Sequence, residues 1–152
     1  MNKTNLETLQ IAAEGLGELR EEVVFVGGAV AELYAKNPKI SDIRITMDVD
    51  CIIEISSLVG YYKLEEILRS KSFRNDQSEG APICRWLYKD IKVDVMPTDE
   101  KILGFSNKWY KEGIASKVER KLPNGLTIYI FPVAYFLASK FEAHKNRGGK
   151  DL

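Results

Sequence analysis

Thr46-Met-Asp-Val-Asp50 runs directly into Cys51-Ile-Ile-Glu-Ile55, and the reading of this stretch decides the fold. Side chains alternate faces along a strand, so Asp48 and Asp50 share one face while Val49 and Cys51 share the other. Two carboxylates held on one face repel each other unless a cation or a proton lies between them. The apolar continuation predicts a buried strand leaving that point, within a strand over 43–55. A second alternating stretch, Ile91-Lys-Val-Asp-Val-Met96, sets Asp94 among apolar neighbours. Three carboxylates on adjacent strands make a hard-oxygen site suited to magnesium.

Working outward, Val23-Val-Phe-Val26 is a short apolar run that predicts a buried strand, closed by Gly27-Gly28. Ala29 to Ala35 has helix-forming composition and stops before Asn37-Pro38. A strand ending in two glycines and followed by a helix turns backbone N–H groups toward the positive end of the helix dipole, where a phosphate can approach closely. The same pair also suits a plain tight turn. No Gly-Lys-Ser/Thr and no GxGxxG occurs, so this is not a Walker or dinucleotide loop. Upstream, Leu6, Leu9, Ala12, Ala13, Leu16 and Leu19 recur at helical spacing and predict an amphipathic helix over 5–20, weakened by Gly15 and Gly17.

Downstream, Leu64, Ile67 and Leu68 predict a surface helix over 61–71, and 74–80 reads as a polar, turn-rich link. Ile83–Tyr88 and Ile91–Met96 form a predicted hairpin around Lys89-Asp90. One or two short helices follow over 98–113. A second hairpin, 117–122 and 126–131, turns on Pro123-Asn-Gly125. Pro132 then opens a helix to about Asn146. The fold class is α+β: a single domain with a mixed or antiparallel sheet flanked by helices.

Composition narrows the function. The chain has 152 residues, 22 basic against 22 acidic, so no global charge favours wrapping a polyanion. The segment 140–150 is locally basic, with Lys140, Lys145, Arg147 and Lys150 against Glu142. Such a patch serves phosphates or is a solvated helix face. One histidine, His144, argues against a His-rich zinc site or a Ser-His-Asp triad. Cys51 and Cys84 lack CxxC spacing and read as reduced thiols of a cytoplasmic protein. No apolar run approaches a bilayer-spanning length, so no membrane partner is expected. Trp109 and Tyr110, beside Lys108 and Lys111, either form a stacking surface or cover the core.

Together, the glycine pair, the Asp-x-Asp strand and the later strand aspartate resemble the nucleotidyltransferase superfold of DNA polymerase beta. More narrowly, Val26-Gly-Gly-Ala29 with Arg44-Ile-Thr-Met-Asp-Val-Asp50 is similar to the abortive-infection (AbiE-type) nucleotidyltransferase toxins, which carry Arg-x-Ser/Thr-x-Asp-x-Asp here. Leu137-Ala-Ser-Lys-Phe-Glu-Ala143 and Arg147-Gly-Gly-Lys-Asp151 resemble their Lys-x-x-Ala…Arg…Lys-Asp helix. The likeness spans about residues 23–151. The spacer from Gly28 to Asp48, with Asn37-Pro38-Lys39 in its middle, departs from the family and implies an added loop.

The resemblance implies that Asp48, Asp50 and Asp94 are catalytic metal ligands for two Mg²⁺ ions, with Mn²⁺ able to substitute. It implies nucleotide contacts from Gly27, Gly28, Arg44, Thr46, Lys140 and Lys150. The implied reaction moves NMP from an NTP to an acceptor hydroxyl and releases pyrophosphate. The acceptor would be a tRNA or a protein, in a toxin paired with a cognate antitoxin. Two alternatives stand beside it: transfer to a small molecule such as an aminoglycoside, and a non-catalytic nucleotide- or partner-binding module. The expected domain, 1–152, lacks the C-terminal helices seen in relatives.

Overall fold

The computed structural model describes residues 4–34, 48–55, 57–98 and 109–138. Alternation along the acidic strand is realised: in β2 (Asp48–Ile53), Val49, Cys51 and Ile53 are buried in the main core, while Asp48 and Asp50 face the other way. β1 (Val23–Val26) pairs antiparallel with β2, and β5 (Ile91–Pro97) pairs with its other edge in parallel. With β3 (Arg74–Asn75), β4 (Arg85–Tyr88), β6 (Val118–Lys121) and β7 (Thr127–Ile130), they build one sheet of order β3-β4-β5-β2-β1-β7-β6. β1 and β7 are the second parallel pair, so the sheet is mixed. Its acidic strand lies at the centre, where pairing on both sides fixes the register.

Helices cover the two faces unequally. α1 (Asn5–Leu16) begins at a capping box, in which Thr4 accepts from the Glu7 N–H and Glu7 accepts from the Thr4 N–H. It lays Leu9, Ala12, Ala13 and Leu16 on the sheet, joined by Tyr61, Leu64 and Leu68 of α2 (Leu58–Ser70). Gly15 sits inside α1 because the Tyr88 ring rests where a β-carbon would be. Gly17, with φ +56°, ends the helix, and the chain continues as a 3₁₀ helix over Gly17–Glu21. Asn124, at the tip of the β6–β7 hairpin, donates from its backbone to Gln10 Oε1 and from its side chain to Glu14 Oε1, both at 2.9 Å.

The opposite face is divided. Val24, Val26, Ile52 and Phe131 form a smaller core, covered by Tyr110 and Ile114 of α3 (Tyr110–Ala115) and by Tyr135 and Phe136 of α4, helical over 133–138. Gly113 is the point where the Phe131 ring meets α3. Trp109 and Tyr110 pack at steep angles against the rings of Tyr135 and Phe131, so they cover this core. Among the described residues, the apolar cover of this face ends at Ile52 and Met96. There the carboxylates stand.

Two elements differ from expectation. The helix expected over 29–35 is a 3₁₀ helix, Gly28–Tyr34, held by the Tyr34 hydroxyl donating to the Phe131 carbonyl at 2.7 Å. The polar link over 74–80 contains β3, a two-residue edge strand paired with Leu87 and Trp86.

Candidate functional site

One cross-strand row builds the site. Antiparallel pairing sets Val26 beside Asp50, parallel pairing sets Asp50 beside Asp94, and the β4–β5 hairpin sets Asp94 beside Arg85. Partners in a register share a face, so Asp50, Asp94 and Arg85 project together, with Asp48 one step along the same face of β2. The structure thus brings together the three predicted aspartates. Gly27 closes the row: its φ is +81°, and a β-carbon there would stand 2.5 Å from Asp50 Oδ2. Glycine is required twice over, for the backbone angle and for the room it leaves to a carboxylate. Gly28 opens the 3₁₀ helix. Arg44, Thr46, Lys140 and Lys150 lie outside the described residues, as does His144.

Arg85 is the residue that sequence reasoning missed. Its Nε donates to Asp94 Oδ1 at 2.9 Å and its Nη2 to Asp94 Oδ2 at 3.1 Å, a bidentate fork. The same Nη2 lies 3.8 Å from Asp48 Oδ2. Counting outward from the two-residue turn Lys89-Asp90 places position 85 opposite 94, so the hairpin already contained the signal.

Electrostatics follow from this crowding. The Asp50 carboxyl is pushed up to about 7, first by burial, then by the charges of Asp94 and Asp48 and a hydrogen bond shared with Asp94; Arg85 opposes the shift. The Arg85 guanidinium is held further above its usual range, chiefly by its hydrogen bonds to Asp94. Cys51 and Cys84 are both free and buried. Burial pushes the Cys51 thiol well up and the Cys84 thiol to about 12, with Asp50 and Asp94 adding to both. Neither is a thiolate at neutral pH.

Among the described residues, no three His, Cys, Asp or Glu side chains are set as a cage for a metal ion. The positive charge on Asp94 and Asp48 is instead the Arg85 guanidinium, standing in for a cation on the same oxygens. All the donors are carboxylate oxygens, the chemistry that magnesium takes. Asp48, whose side chain is 42% exposed against 11% for Asp94, is the solvent-facing end of the row. The donor chemistry, though not the present spacing of the carboxylates, is that of a hard divalent ion's ligands.

The mixed sheet, with acidic residues on its central parallel pair, has a nucleotidyltransferase-like counterpart among solved structures. The chain is similar over 95% of its length to the crystal structure of an antigenic nucleotidyltransferase-like protein from Paracoccidioides brasiliensis, covering 68% of that chain with a TM-score of 0.61 at 17% identity. At that identity the likeness is one of fold. No family model matches the sequence, and no curated protein matches it. Among the described residues, no helix is long and apolar enough to cross a membrane.

Proposed function

We propose that the protein is a magnesium-dependent nucleotidyltransferase that moves NMP from an NTP to an acceptor hydroxyl. The observation that carries this reading is the register placing Asp50 beside Asp94, with Asp48 on the same face. Asp48 and Asp50 would hold a divalent ion, Mg²⁺ or Mn²⁺, with Asp94 completing a second. When bound, such ions neutralise the charge that builds up on the phosphate oxygens. The acceptor oxygen attacks the α-phosphorus as the bond to the β-phosphate oxygen breaks, and pyrophosphate leaves with that electron pair. Asp94 would take the proton of the acceptor hydroxyl. Gly27 and Gly28 would contact the triphosphate through their backbone N–H groups.

The finer reading rests on the AbiE-type resemblance. It assigns nucleotide contacts to Arg44, Thr46, Lys140 and Lys150, an RNA or protein acceptor, and a cognate antitoxin as partner. Small-molecule transfer and a non-catalytic binding module are the competing readings. The test incubates the protein with each α-labelled NTP, Mg²⁺ and a whole-cell extract, with Asp94→Ala as control. Label in the RNA, protein or small-molecule fraction, absent with the variant, is the expected result and names the acceptor class. A protein that binds a nucleotide yet labels no fraction overturns catalysis in favour of the binding module.

A further inference from the structure

The acidic row carries its own cation. Among the described residues, three carboxylates share one guanidinium along this row. Yet Asp94, the innermost member, already has both oxygens on Arg85. A magnesium ion takes a carboxylate oxygen at about 2.0–2.1 Å in near-octahedral geometry, and the fork already engages one lone pair on each Asp94 oxygen. Two positive charges brought within about 4 Å of each other also repel. Metal and guanidinium therefore compete for Asp94.

The surroundings allow the side chain to yield while its backbone stays. Arg85 begins β4, its N–H donating to the Pro82 carbonyl at 3.1 Å and its carbonyl accepting from Asp76 N–H at 3.1 Å. The guanidinium reaches from β4 across β5 to within 3.8 Å of Asp48 on β2, and it retains 19% exposure, so its outer edge meets solvent.

We infer that Arg85 is a displaceable latch on the acidic site: without nucleotide it holds Asp94, and a divalent ion engages all three carboxylates only when the guanidinium lets go. This rests on the metal-dependent reading above and adds a positioning residue to it. Once released, the guanidinium stays tethered beside the site, where an anionic triphosphate is its natural partner. Ion and nucleotide then favour each other's binding. The ion frees the arginine, and the nucleotide offers it somewhere to go.

Mn²⁺ binding to the nucleotide-free protein at pH 8, read from the electron paramagnetic resonance signal of free Mn²⁺, tests the latch without any activity measurement. Arg85→Gln is expected to bind Mn²⁺ about tenfold more tightly than wild type. Arg85→Lys, which keeps the charge and loses the fork, should bind about threefold more tightly and covers the case in which Arg85→Gln does not fold. In an Asp94→Asn background the gain from Arg85→Gln should fall within twofold, because the contested carboxylate is gone. Folded Arg85 variants that bind Mn²⁺ no better than wild type would make Arg85 a plain structural partner and overturn the latch while leaving the metal site intact. Absence of Mn²⁺ binding in wild type and variants alike would overturn the metal-dependent reading, and the latch with it.

Discussion

The two faces of β2 are one residue apart in sequence and opposite in energetics. On one, Val49, Cys51 and Ile53 sit against α1 and α2 in the main core. On the other, Asp48 and Asp50 crowd Asp94 beneath Arg85. The packed face specifies the register, because a one-residue slip would bury the carboxylates and expose Val49, Cys51 and Ile53. The acidic face makes use of that register and works against it, since adjacent carboxylates in a partly buried row destabilise the fold unless a counter-charge or proton is present. Stability is thus concentrated on the apolar face.

The largest expected effect comes from weakening the packed face. Phe25 is fully buried in the middle of β1, paired to Cys51 on one side and Ile130 on the other. Phe25→Ala should lower unfolding free energy by about 3–5 kcal/mol, a large part of a typical stability of about 5–15 kcal/mol. In urea, loss of far-ultraviolet ellipticity and loss of Mn²⁺ binding should coincide. Metal binding lost well before the backbone unfolds would mean that the acidic face is not held by the packed one.

Removing a charge from the acidic face should act in the opposite direction. Asp50→Asn is expected to abolish nucleotidyl transfer while raising metal-free stability at pH 8 by up to about 4 kcal/mol, given that each tenfold change in proton affinity corresponds to about 1.4 kcal/mol. The sign follows from linkage. The folded carboxyl titrates near 7 and the unfolded one near the ordinary value of 3.8, so between those values the folded state binds more protons. The Asp50 contribution therefore weakens as pH rises from about 4 to about 7 and is level above that. Chemical unfolding at several pH values should show this fall in the wild type and its loss in Asp50→Asn. A variant with the wild-type pH profile would refute the crowding account, and retained transfer would refute the catalytic one.

Local patterning made the packed face legible and half of the acidic one. Alternation in 48–53 and 91–96 is a one-dimensional signal, and so are the Lys89-Asp90 and Pro123-Asn-Gly125 turns; the strands and three aspartates followed from these. What escaped depended on partners distant in sequence. β3 is too short and polar to announce itself and exists through pairing with β4. Gly15 looks like a weak point in a helix until Tyr88 is seen to need the space. The 3₁₀ helix over Gly28–Tyr34 ends on a bond from Tyr34 to Phe131, 97 positions away. Arg85 belongs between these cases, because the hairpin register was legible and an arginine opposite an aspartate is ordinary enough to pass over. Arg44, Thr46, Lys140 and Lys150 fall on residues the structure does not describe.

The smallest effect asks whether the two faces are separable at all. Thr4 caps α1 at the far end of the packed layer, accepting from Glu7 N–H at 3.1 Å while its own N–H donates back to Glu7. Thr4→Ala removes one arm of the capping box and should lower stability by about 1 kcal/mol. Nothing in that cap touches the acidic row, so the pH profile of unfolding should move down as a whole, with its slope between about pH 4 and 7 unchanged. A parallel offset would establish that helix packing sets how stable the sheet is and the carboxylate row sets how that stability responds to protons. If the slope changed, the Asp50 environment would be sensitive to how firmly α1 sits on β2 and β5. The packed face would then tune the acidic one as well as hold it in place.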